Sequence, residues 1–376
     1  MNKQFAVIGC GARLKSLTPY LLKQRGLKLS AVYDHYPARA QAFCRAVKKP
    51  DTAIYNNCQD LLRNDKAAWV LIGSPNALHK KHITAAFKSG KNVFAEKPLA
   101  TSIPDCLAVT RAHRQAQKLF ATGFVLRYAP IYKKVKQLLD SGRFGKIISI
   151  AANENITPAH GAYIMRNWRR WRGLAGSHIL EKCVHDLDLL NWFTGSLPRR
   201  IAAFGGNDLW VKKNKSAIPA KVYNDWPGKE FSVKDPFSSA KDIEDNLVLI
   251  LEFYNGTKAQ FQATTANIIP ERRMYLSCTR GNIIIELYSS VLRYQLVNST
   301  RQHTIRFTGD LHGGGDTVIM QQLARSIKQQ ARPACSGREG LQSAVTAITA
   351  DKARIKGSVI NLDRTWQQLG MLNKKQ

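Results

Sequence analysis

The chain has 376 residues, 44% of them hydrophobic, and carries a formal net charge of +31. This length favours two domains over one small core, and the absence of a run of about 20 apolar residues argues against a membrane-spanning helix. The first residues lead straight into an apolar strand, which is not the pattern of a signal peptide. The seven cysteines are scattered and include no Cys-x-x-Cys pair. These features favour a cytoplasmic protein with reduced thiols over a disulfide framework or a zinc cluster.

The positive charge is spread over both halves of the chain and does not form a basic tail. It has three interpretations: a general basic bias of the surface, a field that attracts an anionic substrate, or binding of nucleic acid. No nucleic-acid recognition motif accompanies the charge, so nucleic acid is the least favoured of these partners.

Five apolar runs separated by helical stretches predict the strands of a first domain, residues 1–124. They are Phe5–Gly9, Leu29–Asp34, Trp69–Gly73, Asn92–Ala95 and Leu119–Phe124. This alternation predicts a doubly wound parallel α/β sheet with helices on both faces and right-handed crossovers. Ligands of such sheets bind at the carboxyl ends of the strands.

A glycine turn, Gly9-Cys10-Gly11-Ala12-Arg13-Leu14, follows the first strand. Gly9 allows the tight turn, and Gly11 allows the backbone to approach a pyrophosphate at the amino end of the next helix. Ala12 and Arg13 would begin that helix beside the cofactor. The third glycine of the usual dinucleotide pattern is Leu14 here, so a purely structural turn is the alternative.

Asp34 ends the second predicted strand. A carboxylate at this position accepts hydrogen bonds from the adenosine ribose and repels a 2′-phosphate, which favours NAD as the cofactor without excluding NADP. The neighbouring His35 and Arg39 could soften that preference. The alternative is that Asp34 is an ordinary turn or cap residue.

Two further strand ends supply candidate cofactor residues. The third run is followed by Ser74-Pro75-Asn76 and then His79, and the fourth run leads into Glu96-Lys97-Pro98. Small and turn-forming residues at a strand end leave room for a cofactor, and a lysine at that edge can reach a substrate. His79 could instead pack at the start of a helix.

The second half, residues 125–376, also contains strand-like runs. They are Ile147–Glu154, Arg200–Phe204, Asn246–Tyr254, Lys258–Thr264, Arg273–Cys278, Ile283–Leu287 and Leu292–Leu296. Asn-Gly and Gly-Asn turns between several of them are hairpin signals. Residues 207–242 are irregular and rich in Lys, Asn, Pro and Ser, which predicts a long loop over a site or at an interface.

Residues 176–193 predict one helix that carries an acid/base pair. Glu181 and His185 are four residues apart and share a face, with Asp188 close to it. An imidazole titrates near neutrality and can take a hydroxyl proton, and a nearby carboxylate would stabilise the imidazolium. The alternatives are a surface row of ion pairs and, with His178, a metal site, although no further strong ligand is indicated.

Candidate substrate residues lie before this helix, within it and well after it. His160 and the run Arg166–Arg172, which includes Trp168, suit sugar rings and anionic groups, and a solvated basic loop is the alternative. Lys182 contacts substrate or pairs structurally. Residues 312–316, His-Gly-Gly-Gly-Asp, open a helix predicted over Thr317–Gln330. There Asp316 would be an N-cap, or the glycines would leave space beside a ligand.

Together these segments resemble the Gfo/Idh/MocA family, named for glucose–fructose oxidoreductase, inositol dehydrogenase and a rhizopine-catabolism protein. The matching segments, in family order, are Val7-Ile8-Gly9-Cys10-Gly11, Ser74-Pro75-Asn76-x-x-His79, Gly90-Lys91-Asn92-Val93 leading to Glu96-Lys97-Pro98, Gly123-Phe124-x-x-Arg127, Gly142-x-x-Gly145-Lys146, and Gly176 through His185-Asp186-Leu187-Asp188. The resemblance implies an amino-terminal Rossmann domain and an α+β carboxyl-terminal domain with a large, mostly antiparallel sheet. It also implies a homodimer or homotetramer formed through that sheet.

The resemblance further implies an NAD(P)-dependent oxidoreductase that acts on a secondary alcohol of a sugar, cyclitol or sugar derivative. Lys97 would polarise the reacting oxygen, His185 would be the base, and Glu181 would orient it or share the proton. The family more often has aspartate at the position of Glu181, which leaves that role open. Arg127 and Asp188 are expected to contact substrate, and no metal is expected.

Two other functions stay open. Some relatives keep NAD bound and oxidise a sugar transiently, which permits glycoside cleavage by elimination and hydration without net redox change. A non-enzymatic protein that binds anions or nucleic acid through its positive charge is the third alternative.

Overall fold

The computed structural model describes residues 3–226, 232–309 and 312–372. The chain divides into two units, one formed by residues up to Ala129 together with Gly314–Ala344, and the other by Pro130–Gly313 together with the residues from Val345 onward. The division expected from the sequence lay at residue 124 and left 314–344 in the second domain. The first unit instead includes this late segment, which begins with a helix that packs on it.

The first 129 residues alternate between strands and helices. The strands are β1 (Gln4–Ile8), β2 (Lys28–Tyr33), β3 (Ala53–Ile54), β4 (Trp69–Ile72), β5 (Asn92–Ala95) and β6 (Phe120–Thr122). The helices are α1 (Ala12–Leu22), α2 (Pro37–Ala46), α3 (Cys58–Asn64), α4 (His79–Lys88) and α5 (Ile103–Ala116). Short 3-10 turns cover Asn76–Leu78 and Val125–Tyr128.

The six strands of the first unit form one parallel sheet in the order β3-β2-β1-β4-β5-β6. All four residues of β4 and of β5 are buried, as expected where helices cover both faces of a parallel sheet. This confirms the predicted Rossmann architecture. The two-residue β3 was not predicted, because so short a strand has no readable periodicity.

Within 130–313, the described residues form eight strands and six α-helices. The helices are α6 (Pro130–Asp140), α7 (Pro158–Arg166), α8 (Arg172–Ala175), α9 (His178–Glu181), α10 (Val184–Thr194) and α11 (Ala220–Tyr223). The strands are β7 (Ile147–Asn155), β8 (Pro198–Gly206), β9 (Asn246–Phe253), β10 (Lys258–Thr264), β11 (Glu271–Cys278), β12 (Gly281–Glu286), β13 (Val291–Leu296) and β14 (His303–Arg306).

The remaining described residues form α12 (Gly315–Gln329), α13 (Gly337–Lys356), β15 (Ile360–Asn361) and α14 (Asp363–Gln368). In the second unit nine strands form one sheet in the order β14-β13-β12-β11-β7-β10-β9-β8-β15. Every neighbouring pair is antiparallel except β7 with β10. The predicted large, mostly antiparallel sheet is confirmed, and the short strands β14 and β15 are additions to it.

Strands β9 and β10 alternate between buried and exposed residues. One face of this sheet therefore packs into a core, while its other face carries the exposed side chains. Among the described residues, no helix combines the length and the apolar character needed to cross a membrane.

Candidate functional site

The glycine turn after β1 has two glycines with different surroundings. Gly9 has a φ of +89°, and a Cβ there would lie 2.4 Å from the backbone nitrogen of Ser74. A Cβ on Gly11 would meet only the Gly73 carbonyl oxygen, at 4.0 Å. Gly9 is therefore required by the turn itself, whereas Gly11 leaves open space at the start of α1. No side chain caps that helix, so its first backbone N–H groups, from Ala12 onward, are available to an anion.

Leu14 stands where the usual pattern has a third glycine, and its side chain is buried in the first unit. A Cβ on Gly73 would lie 2.6 Å from Leu14 Cγ. Gly73, at the end of β4, therefore leaves the room that the Leu14 side chain needs for α1 to lie close to the sheet. The Leu14 side chain belongs to the core, and only its backbone lies at the helix start.

Asp34 follows β2, beside the glycine turn. Its Oδ2 accepts a hydrogen bond from the Cys10 amide at 2.8 Å, and its Oδ1 accepts one from the Tyr36 amide at 2.9 Å. These bonds fix the carboxylate at the turn. The His35 ring packs edge-on against the Tyr36 ring, and the Arg39 guanidinium lies 4.6 Å from the centre of that ring.

His79 connects the ends of β4 and β5. Its Nδ1 lies 2.7 Å from the Pro98 carbonyl oxygen and its Nε2 lies 2.9 Å from the Ser74 carbonyl oxygen. Burial lowers the pKa of His79. The imidazole was expected at the cofactor, or else packed at a helix start. It begins α4 and is buried between the carbonyl oxygens of these two loops. The adjoining Pro75 and Asn76 begin a 3-10 turn.

Glu96 and Arg13 form an ion pair at the end of β5. Arg13 Nε donates to Glu96 Oε1 at 3.0 Å, and its two terminal nitrogens donate to the two Asp316 oxygens at 3.0 and 2.8 Å. The interpretation of Asp316 as an N-cap was wrong, because Gly314 occupies that position and Asp316 lies in the first turn of α12. Lys97 follows directly, and its amide donates to Glu96 Oε2 at 3.3 Å.

In the second unit, the single helix predicted over 176–193 is two helices, α9 and α10. They are separated by Lys182 and Cys183, which lie in a turn. The Lys182 ammonium lies 3.0 Å from Glu154 Oε1. Glu181 is therefore the last residue of α9, and His185 is the second residue of α10. Both side chains are buried.

A buried ion cluster lies beneath this break. Arg272 donates to both oxygens of Asp186, at 2.9 and 2.6 Å, and its Nη1 lies 3.0 Å from Glu154 Oε1. Burial alone would raise the pKa of Glu154, but the charges of Arg272 and Lys182 outweigh it and hold the pKa at about 2. Lys182 is therefore paired structurally, one of the two alternatives raised for it.

Arg169 holds the Glu181 carboxylate. Its Nε donates to Glu181 Oε1 at 2.9 Å, and its Nη1 donates to the Tyr163 hydroxyl at 2.7 Å. The guanidinium also lies 4.5 Å from the centre of the Trp168 ring. Trp168 therefore supports the arginine that orients the predicted acid/base carboxylate.

His160 lies in an aromatic group of the same unit. Its ring centre is 4.3 Å from that of Trp226, which stacks on Tyr163 at 5.1 Å. Burial, assisted by the charge of Lys182, lowers the pKa of His160 well below its ordinary value. The sequence did not single out Tyr163 or Trp226, since neither belongs to a recognisable motif.

Arg166 is enclosed rather than directed at a pocket. It donates to the carbonyl oxygens of Ala162 and Tyr223 and to the Asn224 side chain. It therefore fastens part of the irregular segment 207–242, which was expected to be a long loop. Where that segment is described, its Trp210, Tyr223 and Phe237 pack into a core with α7. Residues 227–231 of the segment lie outside the described residues.

The remaining candidates lie in different elements. Asp188 is buried in α10, and Arg127 lies in the 3-10 turn Val125–Tyr128 of the first unit. The ring centres of His185 and His312 are 6.5 Å apart. Among the described residues, no group of three or more His, Cys, Asp or Glu side chains is arranged to hold a metal ion.

Comparisons with known proteins agree with a cofactor-binding first unit and a distinct second unit. A family model described as an oxidoreductase family with an NAD-binding Rossmann fold matches residues 3–124, and the Gfo/Idh/MocA C-terminal domain matches residues 132–284. A 2,7-anhydro-N-acetylneuraminate hydratase of Escherichia coli is 24% identical over 81% of this chain and 73% of its own length. An inositol 2-dehydrogenase of Ralstonia nicotianae is 31% identical over 52% of this chain and 55% of its own length.

A solved structure of levoglucosan dehydrogenase in complex with NADH and levoglucosan is similar in fold. It has a TM-score of 0.81 at 16% identity and covers 96% of this chain and 100% of its own. The two family models together match most of the chain, one in each unit. The chain therefore belongs to the Gfo/Idh/MocA family of NAD(P)-dependent oxidoreductases, as its motifs indicated.

Proposed function

We propose that the protein transfers a hydride between NAD(P) and a secondary alcohol or ketone of a sugar, cyclitol or sugar derivative. The observation that carries the proposal is the glycine turn, where Gly11 leaves space at an uncapped helix start and Asp34 is fixed beside it. These are the features that a dinucleotide pyrophosphate and ribose need. Relatives named as an inositol dehydrogenase and a 1,5-anhydro-D-fructose reductase support the substrate class.

The residues present fit the cofactor. The N–H groups of Ala12, Arg13 and Leu14 would hold the pyrophosphate, and Asp34 would hold the ribose. Ser74, Pro75 and Asn76 would border the cofactor at the next strand end. When bound, the nicotinamide supplies hydride acceptance from the carbinol carbon, or hydride donation in the reverse direction.

Three side chains would manage the proton and the oxygen. Lys97 polarises the reacting oxygen, and His185 removes the hydroxyl proton as the carbonyl forms. Glu181, held by Arg169 at 2.9 Å, stabilises the positive charge that develops on His185. The proposal is tested by incubating the enzyme with NAD⁺ and a panel of cyclitols and sugars, and following reduced nicotinamide by absorbance. If no polyol yields reduced cofactor and no matching ketone consumes it, the proposal fails.

The side chains of the second unit favour a neutral, hydroxyl-rich substrate over an anionic one. Arg169 is paired with Glu181, and Lys182 is paired with Glu154. An anionic group would have to compete with these carboxylates for their cations. His160 and Trp226 supply ring surfaces of the type that pack on sugars.

A second candidate is the redox-neutral reaction, in which a retained NAD oxidises the sugar transiently and permits elimination and hydration. The similarity to a 2,7-anhydro-N-acetylneuraminate hydratase over 81% of this chain supports this second candidate. Product formation without net reduced nicotinamide would distinguish this reaction from the dehydrogenase.

We also infer a cytoplasmic homodimer or homotetramer that associates through the outer face of the large sheet. Phe204 on β8 is paired with Val248 on β9, and both are exposed together with Ile250. This exposed apolar group suits an interface between copies. Light scattering during size-exclusion chromatography tests the inference, and a monomer at micromolar concentration would refute it.

Replacing Asp34 with alanine is expected to weaken NAD binding about 10- to 100-fold, since a charge-assisted hydrogen bond is lost. NADP binding should weaken less or improve, because the carboxylate no longer repels the 2′-phosphate. Titration of both dinucleotides measures the change, with Arg39→Gln as the matched control that affects NADP alone. An unchanged ratio of the two affinities would show that Asp34 does not select the cofactor.

Gly11→Ala is expected to keep the fold and lower dinucleotide affinity by about tenfold or more, because its Cβ enters the open space above the turn. Gly9→Ala is the contrasting variant. Its Cβ would lie 2.4 Å from a backbone nitrogen at a φ of +89°, so it should destabilise the protein itself. Thermal melting and NADH fluorescence separate the two effects. Full affinity in a folded Gly11→Ala protein would contradict the assignment of the turn.

A further inference from the structure

One guanidinium in the first unit joins three distant segments of the chain. Arg13, just after the glycine turn, donates to Glu96 at the end of β5 and to Asp316 in the first turn of α12. These partners are 83 and 303 residues from Arg13 along the chain. The bond pair to Asp316 is bidentate, which fixes the orientation of the guanidinium plane as well as its position.

The surroundings leave space for this bridge. A Cβ on Gly123 would lie 2.7 Å from Glu96 Oε2, so a larger residue there would displace the end of the Glu96 side chain. A Cβ on Gly315, next to Asp316, would lie 2.5 Å from the Val125 carbonyl oxygen. The backbone contact requires glycine at position 315, and glycine at position 123 lets the Glu96 carboxylate lie where Arg13 bonds it.

The bridge reaches Lys97 through Glu96. One oxygen of Glu96 accepts from Arg13 and the other lies 3.3 Å from the Lys97 amide nitrogen, which donates to it. The backbone from which the Lys97 side chain departs is thus tied, through a single carboxylate, to the residue after the glycine turn.

We propose that Arg13 and Asp316 are positioning residues that hold the Glu96–Lys97 corner to the glycine turn and set the charge environment of the Lys97 ammonium. The functional meaning of this bridge rests on the catalytic role proposed for Lys97. Lysine would not reproduce this bridge, since its ammonium lacks the planar fork that makes the bidentate bond to Asp316 while Nε bonds Glu96.

The proposal can be tested by the direction in which each variant shifts the pKa of Lys97. Asp316→Asn removes a negative charge from the bridge that reaches Lys97 through Glu96, and it should lower the pKa of Lys97. Arg13→Gln removes a positive charge and should raise it. Both variants break the same bridge. If the bridge acted only through structure, the pKa of Lys97 would therefore shift in the same direction in both variants. Glu96 and His79 also interact with Lys97 in the first unit, and neither variant removes them.

The experiment uses the full-length protein without substrate. Competitive labelling with acetic anhydride over a pH series, followed by mass spectrometry, gives the pKa of Lys97 in each variant. The expected shifts are about half a pH unit, downward for Asp316→Asn and upward for Arg13→Gln. Asp51→Asn, the loss of an exposed carboxylate in the same unit, is the matched control and should cause no shift. Shifts of the same sign, or none, would overturn the proposal.

Hydrogen exchange supplies a second readout if Arg13→Gln does not fold. Arg13→Lys and Asp316→Asn should each speed exchange of the Lys97 amide about tenfold, because its acceptor is no longer held. Unchanged exchange in both would also refute the bridge. Neither readout needs turnover, so failure of the bridge is distinguishable from failure of the proposed reaction. The role of Lys97 in that reaction is decided separately, by loss or retention of turnover in Lys97→Met.

Discussion

Lys97→Met and His185→Ala are each expected to lower kcat about 10²- to 10⁴-fold, the usual loss when a proton-transfer or polarising group is removed. Affinity for NAD(H) should stay within a few-fold, because the changes remove interactions made in the transition state. Steady-state kinetics with the best substrate from the panel, combined with NADH fluorescence titration, measures both quantities.

Two matched variants control for general effects of these substitutions. Lys133 is an exposed lysine of α6, and His303 begins β14. Lys133→Met and His303→Asn should keep nearly full turnover. Full turnover in Lys97→Met or His185→Ala would remove that residue from the mechanism.

Arg272→Met is expected to lower the free energy of unfolding by about 3–5 kcal/mol, because it leaves two buried carboxylates with too few partners. With a shift of about 2–4 °C per kcal/mol, the melting temperature should fall by about 6–20 °C. Burial already raises the pKa of Asp186, and loss of Arg272 should raise it further. Protonation of Asp186 would then remove the uncompensated charge. The difference in free energy of unfolding between Arg272→Met and the unmodified protein should therefore become smaller as the pH is lowered below neutrality.

Arg293→Met is the matched control for this prediction. Arg293 pairs with Glu286 at 2.9 Å on an accessible part of the same sheet. Removal of such a pair usually costs about 0–1 kcal/mol. If calorimetry gave similar losses for Arg272→Met and Arg293→Met, the buried cluster would not be a main support of this unit.

The strands could be predicted because their patterns are regular. The parallel strands read as short apolar runs and the antiparallel ones alternate, so twelve of the fifteen strands in the described parts of the chain were anticipated. The three that were missed are β3, β14 and β15, which have two to four residues each. Segments of that length carry too few residues to show a period.

The cofactor side of the site was readable because its residues follow one another closely after strand ends. The glycine turn and Asp34 lie where the motif placed them, with the Cys10 amide joining them. What the motif could not show is that Gly73 replaces the missing third glycine. That compensation depends on the packing of Leu14 against another strand.

The buried ion cluster was missed although its signal was present. Glu154 stands on β7 in line with the buried Ile150 and Ala152, and Arg272 stands on β11 in line with Met274 and Leu276. A charge at an inward-facing strand position requires a partner. Lys182, in the turn between α9 and α10, joins the same cluster through Glu154.

Other contacts had no readable signal. Trp226 meets His160 only because the irregular segment folds back, and Arg166 is enclosed by that same segment. Asp316 reaches Arg13 from 303 residues away. Such pairings depend on tertiary structure and leave no trace in spacing along the chain.

Binding of NAD(H) to the purified full-length chain tests its assignment as an NAD(P)-dependent oxidoreductase most directly. Cofactor release on denaturation shows what is retained, and a melting titration shows what exchanges. A freely exchanging NAD at about 100 times its Kd is expected to raise the free energy of unfolding by about 2.7 kcal/mol. A protein that releases no dinucleotide and is stabilised by neither NAD(H) nor NADP(H) would contradict the assignment.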